Sequence, residues 1–312
     1  MKAALLPDRG VIKVAGETAR QFLNGLLTAD MGTVSPGCAR FAALLTPQGK
    51  IVVDCIVIEA PAGDGGGFFV ECPRALAMAF ATKLNFYKLR AKVAVEDLSG
   101  KLGVMAVWGG TDINQDRTTD YGLSYADPRL SMLGTRIILP PHLAKEAAED
   151  LHAQLFDTAA YEEHRIALGV PRGGVDFAYG DAFPHEADMD QLSGVDFAKG
   201  CYVGQEVVSR MEHRGSARTR IVSASYEGYP PESGTPVLAG EKSIGTFGSS
   251  AAGHALAMVR TDRVTDAVAA GAQIVSGGVP IKLIKPGWAK FDLVPKPEPK
   301  PFSPDVKPFS PD

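Results

Sequence analysis

The sequence predicts an α+β fold followed by a small β-barrel, and three observations carry that reading. Strand-like and helix-like periodicities alternate as strand, strand, helix, strand, strand, helix through the first half, the order of a sheet with helices on one side. From Arg220 onward the texture changes to short β-rich runs separated by Gly, Pro and Ser turns at barrel-like intervals. The 312 residues also exceed what one ordinary core holds, so two or three packing units are expected.

Taken in order, residues 11–14 (VIKV) read as a short strand, and Gly16-Glu17-Thr18 opens a helix whose Phe22, Leu23, Leu26 and Leu27 form an apolar stripe. Gly25 sits in that stripe. A glycine in a helix interior costs about 1 kcal/mol against alanine, so close packing or an approaching ligand is expected there. Phe41–Leu45, the turn Thr46-Pro47-Gln48-Gly49 and Ile51–Ile58 read as a hairpin. Asp54 interrupts its second strand. Such an acid either faces solvent on a half-buried strand, the reading favoured from residue type alone, or is aimed at a partner.

Gly63-Asp64-Gly65-Gly66-Gly67 is a loop tip leading into strand Phe68–Val70. It lacks the lysine and following helix of a phosphate-binding loop. Pro73 starts a helix through Leu76, Phe80 and Leu84. Leu89–Val95 and Leu102–Trp108 return to strand, 110–128 is turn-rich and polar, and 134–139 is a further strand. Leu143, Ala147, Leu151 and Leu155 mark one helix. Asp157-Thr158 caps the next, which Gly169 and Pro171 close. The barrel runs are Ile221–Tyr226, Pro236–Leu238, Ser243–Phe247, Ala255–Val259, Gln273–Val275 and Pro280–Ile284. Beyond Pro295 a Lys/Pro-rich tail carries KPFSPD twice and is expected to be extended or disordered, dispensable for stability and ligand binding.

Composition narrows the function. The chain is 45% hydrophobic and 22% charged with a formal net charge of −4, which argues against a broad basic face for nucleic acid but not against a local patch. Cys38, Cys55, Cys72 and Cys201 show no CxxC spacing, so neither a zinc cage nor a disulfide framework is indicated and a reducing cytoplasm fits. The six histidines form no HxxxH or HExxH pair, and no metal site is expected. The run at Met1–Asp8 is too short for a signal peptide, and no window approaches the ~20 apolar residues that span a bilayer.

The densest cluster of special residues is Lys199–Glu206, KGCYVGQE. Gly200 and Gly204 permit sharp turns, and Gln205-Glu206-Val207-Val208 opens a helix, so Cys201 lies just before a helix N-terminus beside Lys199. Both features favour thiolate over thiol, lowering a cysteine below its model value of ~8.5. The other reading is a small buried cysteine in a Gly-bounded turn. Arg210, His213, Arg214, Arg218 and Arg220 have one acid among them, Glu212. They form either a solvated face or a patch for a polyanion such as a glutamate tail or RNA.

KGCYVGQE, preceded by Phe183–Met189 and Gly194–Phe197, resembles the signature of YgfZ-type folate-binding proteins, relatives of the glycine-cleavage T-protein (GcvT, aminomethyltransferase). The likeness extends through Phe22–Asp30, Thr46–Ile51, Leu89–Val93, Ile244–Ser249 and Ala255–Arg260, nearly the whole chain. It implies a T-protein-like (GcvT) folate-binding region of two interleaved α+β subdomains over 1–217, a C-terminal small β-barrel over 218–294 and a tail over 295–312, in a ring around a central folate cleft. It implies tetrahydrofolate as cofactor, iron–sulfur client or assembly proteins as partners, and Cys201 as reactive thiol. The folate contacts it implies are Asn24, Asp30, Asp54, Arg90, Glu186, Lys199, Gly200, Tyr202, Gly204, Gln205, Glu206 and Arg214.

Two departures bear on activity. The transferases' paired acids align with Val53 and Asp54, and the glutamate of their Arg-Leu-Glu-Ala-Gly-Leu-Pro segment aligns with Ala167 of Arg165–Pro171. A carboxylate accepts two hydrogen bonds from a pterin and alanine accepts none, so aminomethyl transfer is not expected. Two other function classes stand beside the iron–sulfur reading: a folate-dependent one-carbon transferase, and a tRNA-modification accessory that contacts RNA through Arg210–Arg220.

Overall fold

The turn Thr46-Pro47-Gln48-Gly49 joins strands Arg40–Leu45 and Ile51–Glu59 in a computed structural model that describes residues 1–110, 118–119, 121–215 and 217–293. These strands lie in a five-stranded antiparallel sheet ordered Arg40–Leu45, Ile51–Glu59, Phe68–Pro73, Arg9–Ala15, Ala94–Asp97. Its central strands read as continuous apolar runs because both faces are covered. Phe41, Ala43, Leu45, Ile56, Ile58 and Phe69 point one way. Ala42, Leu44, Val53, Cys55, Val57 and Val70 point the other, under helices Ala19–Asn24 and Arg74–Tyr87. Ala77, Phe80, Ala81 and Leu84 give the second helix its buried stripe at the i, i+3, i+4, i+7 spacing.

A second sheet runs Gln154–Phe156, Lys2–Leu6, Gly103–Trp108, Thr135–Leu139, Gly122–Ala126, Thr118–Thr119. Helix Ala144–Asp150 covers its outer face, and its inner face meets the first sheet through Ala4, Leu6, Val104, Ala106, Trp108 and Ile138. The chain enters the second sheet, builds the first, and returns, so the two units interleave. Helix Thr158–Ala167 follows, with Asp157 accepting from the Ala160 amide at 3.1 Å as its cap. The last unit is a closed barrel of Thr219–Tyr226, His254–Arg260, Lys242–Ala251, Pro236–Ala239, Ile274–Ser276 and Val279–Ile284.

Between the sheets the core is ionic as well as apolar. Glu71, fully buried, accepts from Arg9 Nε at 2.7 Å, from Arg136 and from the Tyr125 hydroxyl. Arg136 also donates through Nε to Asp127 at 2.7 Å, and Arg129 closes the chain onto Asp127 at 2.7 Å. Burial alone would push both carboxyls up, but Arg136 and Arg9 hold Glu71 below its ordinary value, and Arg129 and Arg136 hold Asp127 far below.

Several elements differ from the sequence reading. Lys2–Leu6 is not merely a short apolar start but a strand inside the second sheet. The first helix stops at Asn24, so Gly25 caps it with φ −75° and room for a Cβ at 3.7 Å from the Gln21 and Phe22 carbonyl oxygens, and Leu26 and Leu27 are buried beyond its end. The strand after helix Arg74–Tyr87 is Ala94–Asp97, not Leu89–Val95. Leu155 lies in a strand paired in parallel with Lys2–Ala4, not in the helix that ends at Asp150. Within 110–128, Gly122–Ala126 is a strand, while 111–117, 120 and 294–312, which includes the tail over 295–312, lie outside the described residues. Among the described residues no helix is long and apolar enough to cross a membrane.

Candidate functional site

Residues 168–204 contain no helix or strand, and buried side chains hold them in place. The Asp176 carboxylate accepts from the Ser249 amide and hydroxyl, each at 2.7 Å, and from the Arg172 amide at 2.8 Å. Thr28 donates to the Gly194 carbonyl at 2.6 Å, and the Asp196 amide to the Thr28 carbonyl at 3.0 Å. This segment delivers Lys199–Glu206 onto the first sheet.

There the glycines act by shape. Gly204 takes φ +83° at the start of helix Gln205–Arg214, and a Cβ on it would meet the Thr46 carbonyl oxygen at 2.5 Å. The motif thus packs directly on the hairpin turn, and Gly49 faces Val207 from the other side. Gly200 is open, with nothing near its missing Cβ. Cys201 is exposed, which removes the buried-cysteine reading, while Tyr202 is a core residue whose hydroxyl burial pushes up to about 12. Gln205 and Glu206 begin the helix, with Glu206 paired to Arg210.

Lys199 does something its sequence did not indicate. Its ammonium donates to the carbonyls of Asn24 (2.7 Å), Leu27 (2.6 Å) and Ala29 (2.8 Å), tying the motif to the end of the first helix. Burial lowers its value to about 8, with Asp30 and Asp196 pulling the other way. Asn24 and Asp30 belong to the same cluster but serve it internally. Asn24 Oδ1 accepts from the Met31 amide at 2.9 Å, and Asp30 accepts from the Gly32 amide at 2.8 Å. The helix begins four residues after Cys201, and Lys199 is committed to carbonyls, so the charge expected beside the thiol is spent on positioning its loop. Lys199→Ala is expected to cost about 2 kcal/mol in a denaturation midpoint, because three converging carbonyls lose their donor. Lys199→Arg is expected not to restore it, since a planar guanidinium cannot converge its donors on three acceptors.

The remaining candidates lie elsewhere. Asp54 is buried, not solvent-facing, and accepts from the Tyr179 hydroxyl across 125 residues of sequence. Burial and Asp54 both push the Tyr179 hydroxyl up. Tyr179 itself fits because residue 173 is glycine, where a Cβ would sit 2.1 Å from its hydroxyl oxygen. The Gly173-Gly174 pair was the signal for it. Val53 faces the opposite side of the strand, under helix Arg74–Tyr87, so an acid at 53 would enter an apolar layer and not the face that Asp54 and Tyr179 share.

Glu186 lines a cleft of about 520 Å³ with Lys50, Asp176, Asp181, Thr219 and Thr246, and accepts from the Phe183 amide at 2.9 Å. A second cleft of about 520 Å³, lined by Asp8, Arg9, Arg74 and Arg172, lies on the other side of Gly174-Val175. Arg90 is exposed after helix Arg74–Tyr87. The basic patch is dispersed: Arg210 pairs with Glu206, and Arg220 is buried, donating to Asp190 at 2.6 Å and to the His185 carbonyl at 2.7 Å. Arg214 and Arg218 remain exposed. His185, Asp190 and Glu212 bring ligand atoms within 4.8 Å of one another, but the Arg220 guanidinium already neutralises Asp190.

The backbone that carries these groups is shared with the crystal structure of the glycine cleavage system aminomethyltransferase T from Bartonella henselae, at a TM-score of 0.72 and 18% identity over 92% of this chain and 86% of that one. The fold is therefore the T-protein fold, and residues 218–291 match the model of the CAF17 C-terminal β-barrel domain. The iron–sulfur cluster assembly factor IBA57 of Mus musculus, named as mitochondrial, is 31% identical over 83% of this chain and 77% of its own length. The chain belongs to the IBA57 family. An IBA57 homolog of Pyricularia oryzae is 30% identical over 93% of this chain and 78% of its own. That of Mycosarcoma maydis is 33% identical over 74% of this chain, which spans 59% of the relative's length. The family assignment thus falls on IBA57, with the YgfZ-type likeness remaining one of motif. These IBA57 relatives are named as mitochondrial, in contrast to the cytoplasmic expectation, and that compartment is theirs.

Proposed function

We propose that this IBA57-family chain acts in iron–sulfur cluster assembly, with Cys201 as its working thiol. Relatives named as iron–sulfur cluster assembly factors support the process. The observation that carries the residue is the contrast among the four cysteines. Clusters are held by thiolates, and burial pushes the Cys72 thiol to about 12 and Cys55 well above its ordinary value, so neither serves as a ligand. Cys38 is half-buried, and Cys201 alone of the four is exposed, on a loop anchored by Lys199 and Gly204. One thiolate supplies one of the roughly four ligands a cluster takes, so the rest come from an assembly or client protein. The test is alkylation of the native protein followed by peptide mass spectrometry. Cys201 is expected to react first and its modification to remove activity in reconstituted assembly; first reaction at Cys38 contradicts the proposal.

Tetrahydrofolate is the second part of the proposal. Its pterin needs a carboxylate, and its glutamate tail a cation, for which Arg74 lines one cleft and Lys50 the other. The Tyr179 hydroxyl occupies Asp54 Oδ1 and so competes with a pterin for that carboxylate. Tyr179→Phe is therefore expected to tighten tetrahydrofolate about tenfold, one hydrogen bond's worth, in a titration followed by the fluorescence of Trp108 and Trp288. Absence of binding in both proteins removes the folate part and leaves the Cys201 part standing.

A further inference from the structure

Helix Arg74–Tyr87 and the turn after it carry charge of one sign. Between Glu71 and Glu96 the chain has Arg74, Lys83, Lys88, Arg90 and Lys92 and no acidic residue. Lys92 pairs with Glu17 at 2.8 Å, while Lys83, Lys88 and Arg90 have no carboxylate partner among the described residues. The same surface is apolar. Met78 is 71% exposed, Phe86 77% and Leu89 87%, against a chain in which large apolar side chains are mostly covered.

The surface is also concave. Between this helix and strand Ile51–Glu59 runs a groove of about 460 Å³ lined by Val52, Val53, Leu76, Ala79, Phe80 and Phe86. Residues 76, 79, 83 and 86 follow one another along the helix at the three- and four-residue spacing of a single stripe, so the groove parallels the helix axis. Two residues past the helix Leu89 takes φ +40°, a left-handed conformation that a bulky branched side chain rarely adopts. A backbone in this conformation holding a leucine out in water points to a role for that side chain at the surface.

We propose that this face docks a partner protein through an acidic amphipathic helix, whose apolar side chains fill the groove and whose flanking carboxylates meet Lys83, Lys88 and Arg90. Charge complementarity selects the acidic partner, and the elongated cleft selects a helix over a membrane, because a bilayer cannot fill a groove. Met, Phe and Arg are also the side chains enriched where proteins meet.

The probe is a fluorescein-labelled peptide of about 18 residues, five helical turns, with leucines on one face and glutamates elsewhere. Its counterpart carries lysine for glutamate, and vesicles of phosphatidylcholine with phosphatidylglycerol stand for a membrane. The full chain is expected to bind the acidic peptide in fluorescence anisotropy, less tightly as salt rises. The pair Phe86→Glu with Leu89→Glu, and separately Lys83→Glu with Lys88→Glu, are each expected to weaken binding by about tenfold or more, with unchanged melting curves. No binding, equal binding of the lysine peptide, or binding indifferent to these substitutions overturns the proposal. So does vesicle binding that the substitutions abolish while the peptide fails, or a gain in peptide affinity on removing residues 294–312, which would mean that the chain's own tail fills the groove.

Discussion

A chain carrying Cys201→Ser is expected to keep its stability within about 0.5 kcal/mol of the parent, the usual scatter for an exposed position, and to restore no iron–sulfur enzyme activity in cells that lack the protein. The reason is local. The Cys201 side chain is exposed, and the loop around it is fixed by other groups: the Lys199 ammonium on three carbonyls and Gly204 against the hairpin turn. Serine keeps the size and removes the sulfur, so a loss of function with an intact fold isolates the chemistry. Full rescue by the serine variant, or a large fall in its melting temperature, assigns Cys201 a structural role instead.

Glu71→Ala is expected to be the most damaging single change in the scaffold, at about 3–5 kcal/mol, because it removes the carboxylate of the largely buried Arg9 and leaves the buried Arg136 to share Asp127 with Arg129. That is a large share of the 5–15 kcal/mol by which a domain is typically stable. The same network gives the protein a predictable acid limit. The carboxyls of Glu71 and Asp127 are both held below their ordinary values. Their contribution is complete above the unfolded carboxyl value of about 4 and is lost as pH falls through the lower folded values. Urea midpoints measured at descending pH should drop in that window in the parent and less steeply in Glu71→Ala. A parent midpoint flat below about pH 4 contradicts the assignment.

Much of this architecture was legible because its signals are local. The barrel runs alternate over a few residues, the Thr46–Gly49 turn announces its hairpin, and Asp157 caps its helix with its own carboxylate. What misled was periodicity where tertiary pairing decides. Leu155 continues a four-residue spacing from Leu151, yet Gln154–Phe156 becomes a strand because Lys2–Ala4 lies beside it. The candidate site follows the same division. Cys201, Gly49 and Gly204 were visible from residue type and spacing. The partners of Lys199 lie 170 to 175 residues away in sequence, and that of Asp54 lies 125 away, so no local pattern marks them. Arg220 read as part of a surface patch because a charge run shows sign and not direction, while its counter-ions Asp188 and Asp190 sit in a different segment.

The most direct measurement of the central claim uses a chain whose only cysteine is Cys201, with Cys38, Cys55 and Cys72 replaced by alanine. Iron–sulfur enzyme activity is read in cells lacking the protein, alongside the melting curve of each purified variant. The sole-cysteine chain is expected to restore activity fully, with at most the stability loss of small core substitutions, and its Cys201→Ser derivative to restore none. A folded sole-cysteine chain that fails to restore activity, or a cysteine-free chain that succeeds, contradicts the account.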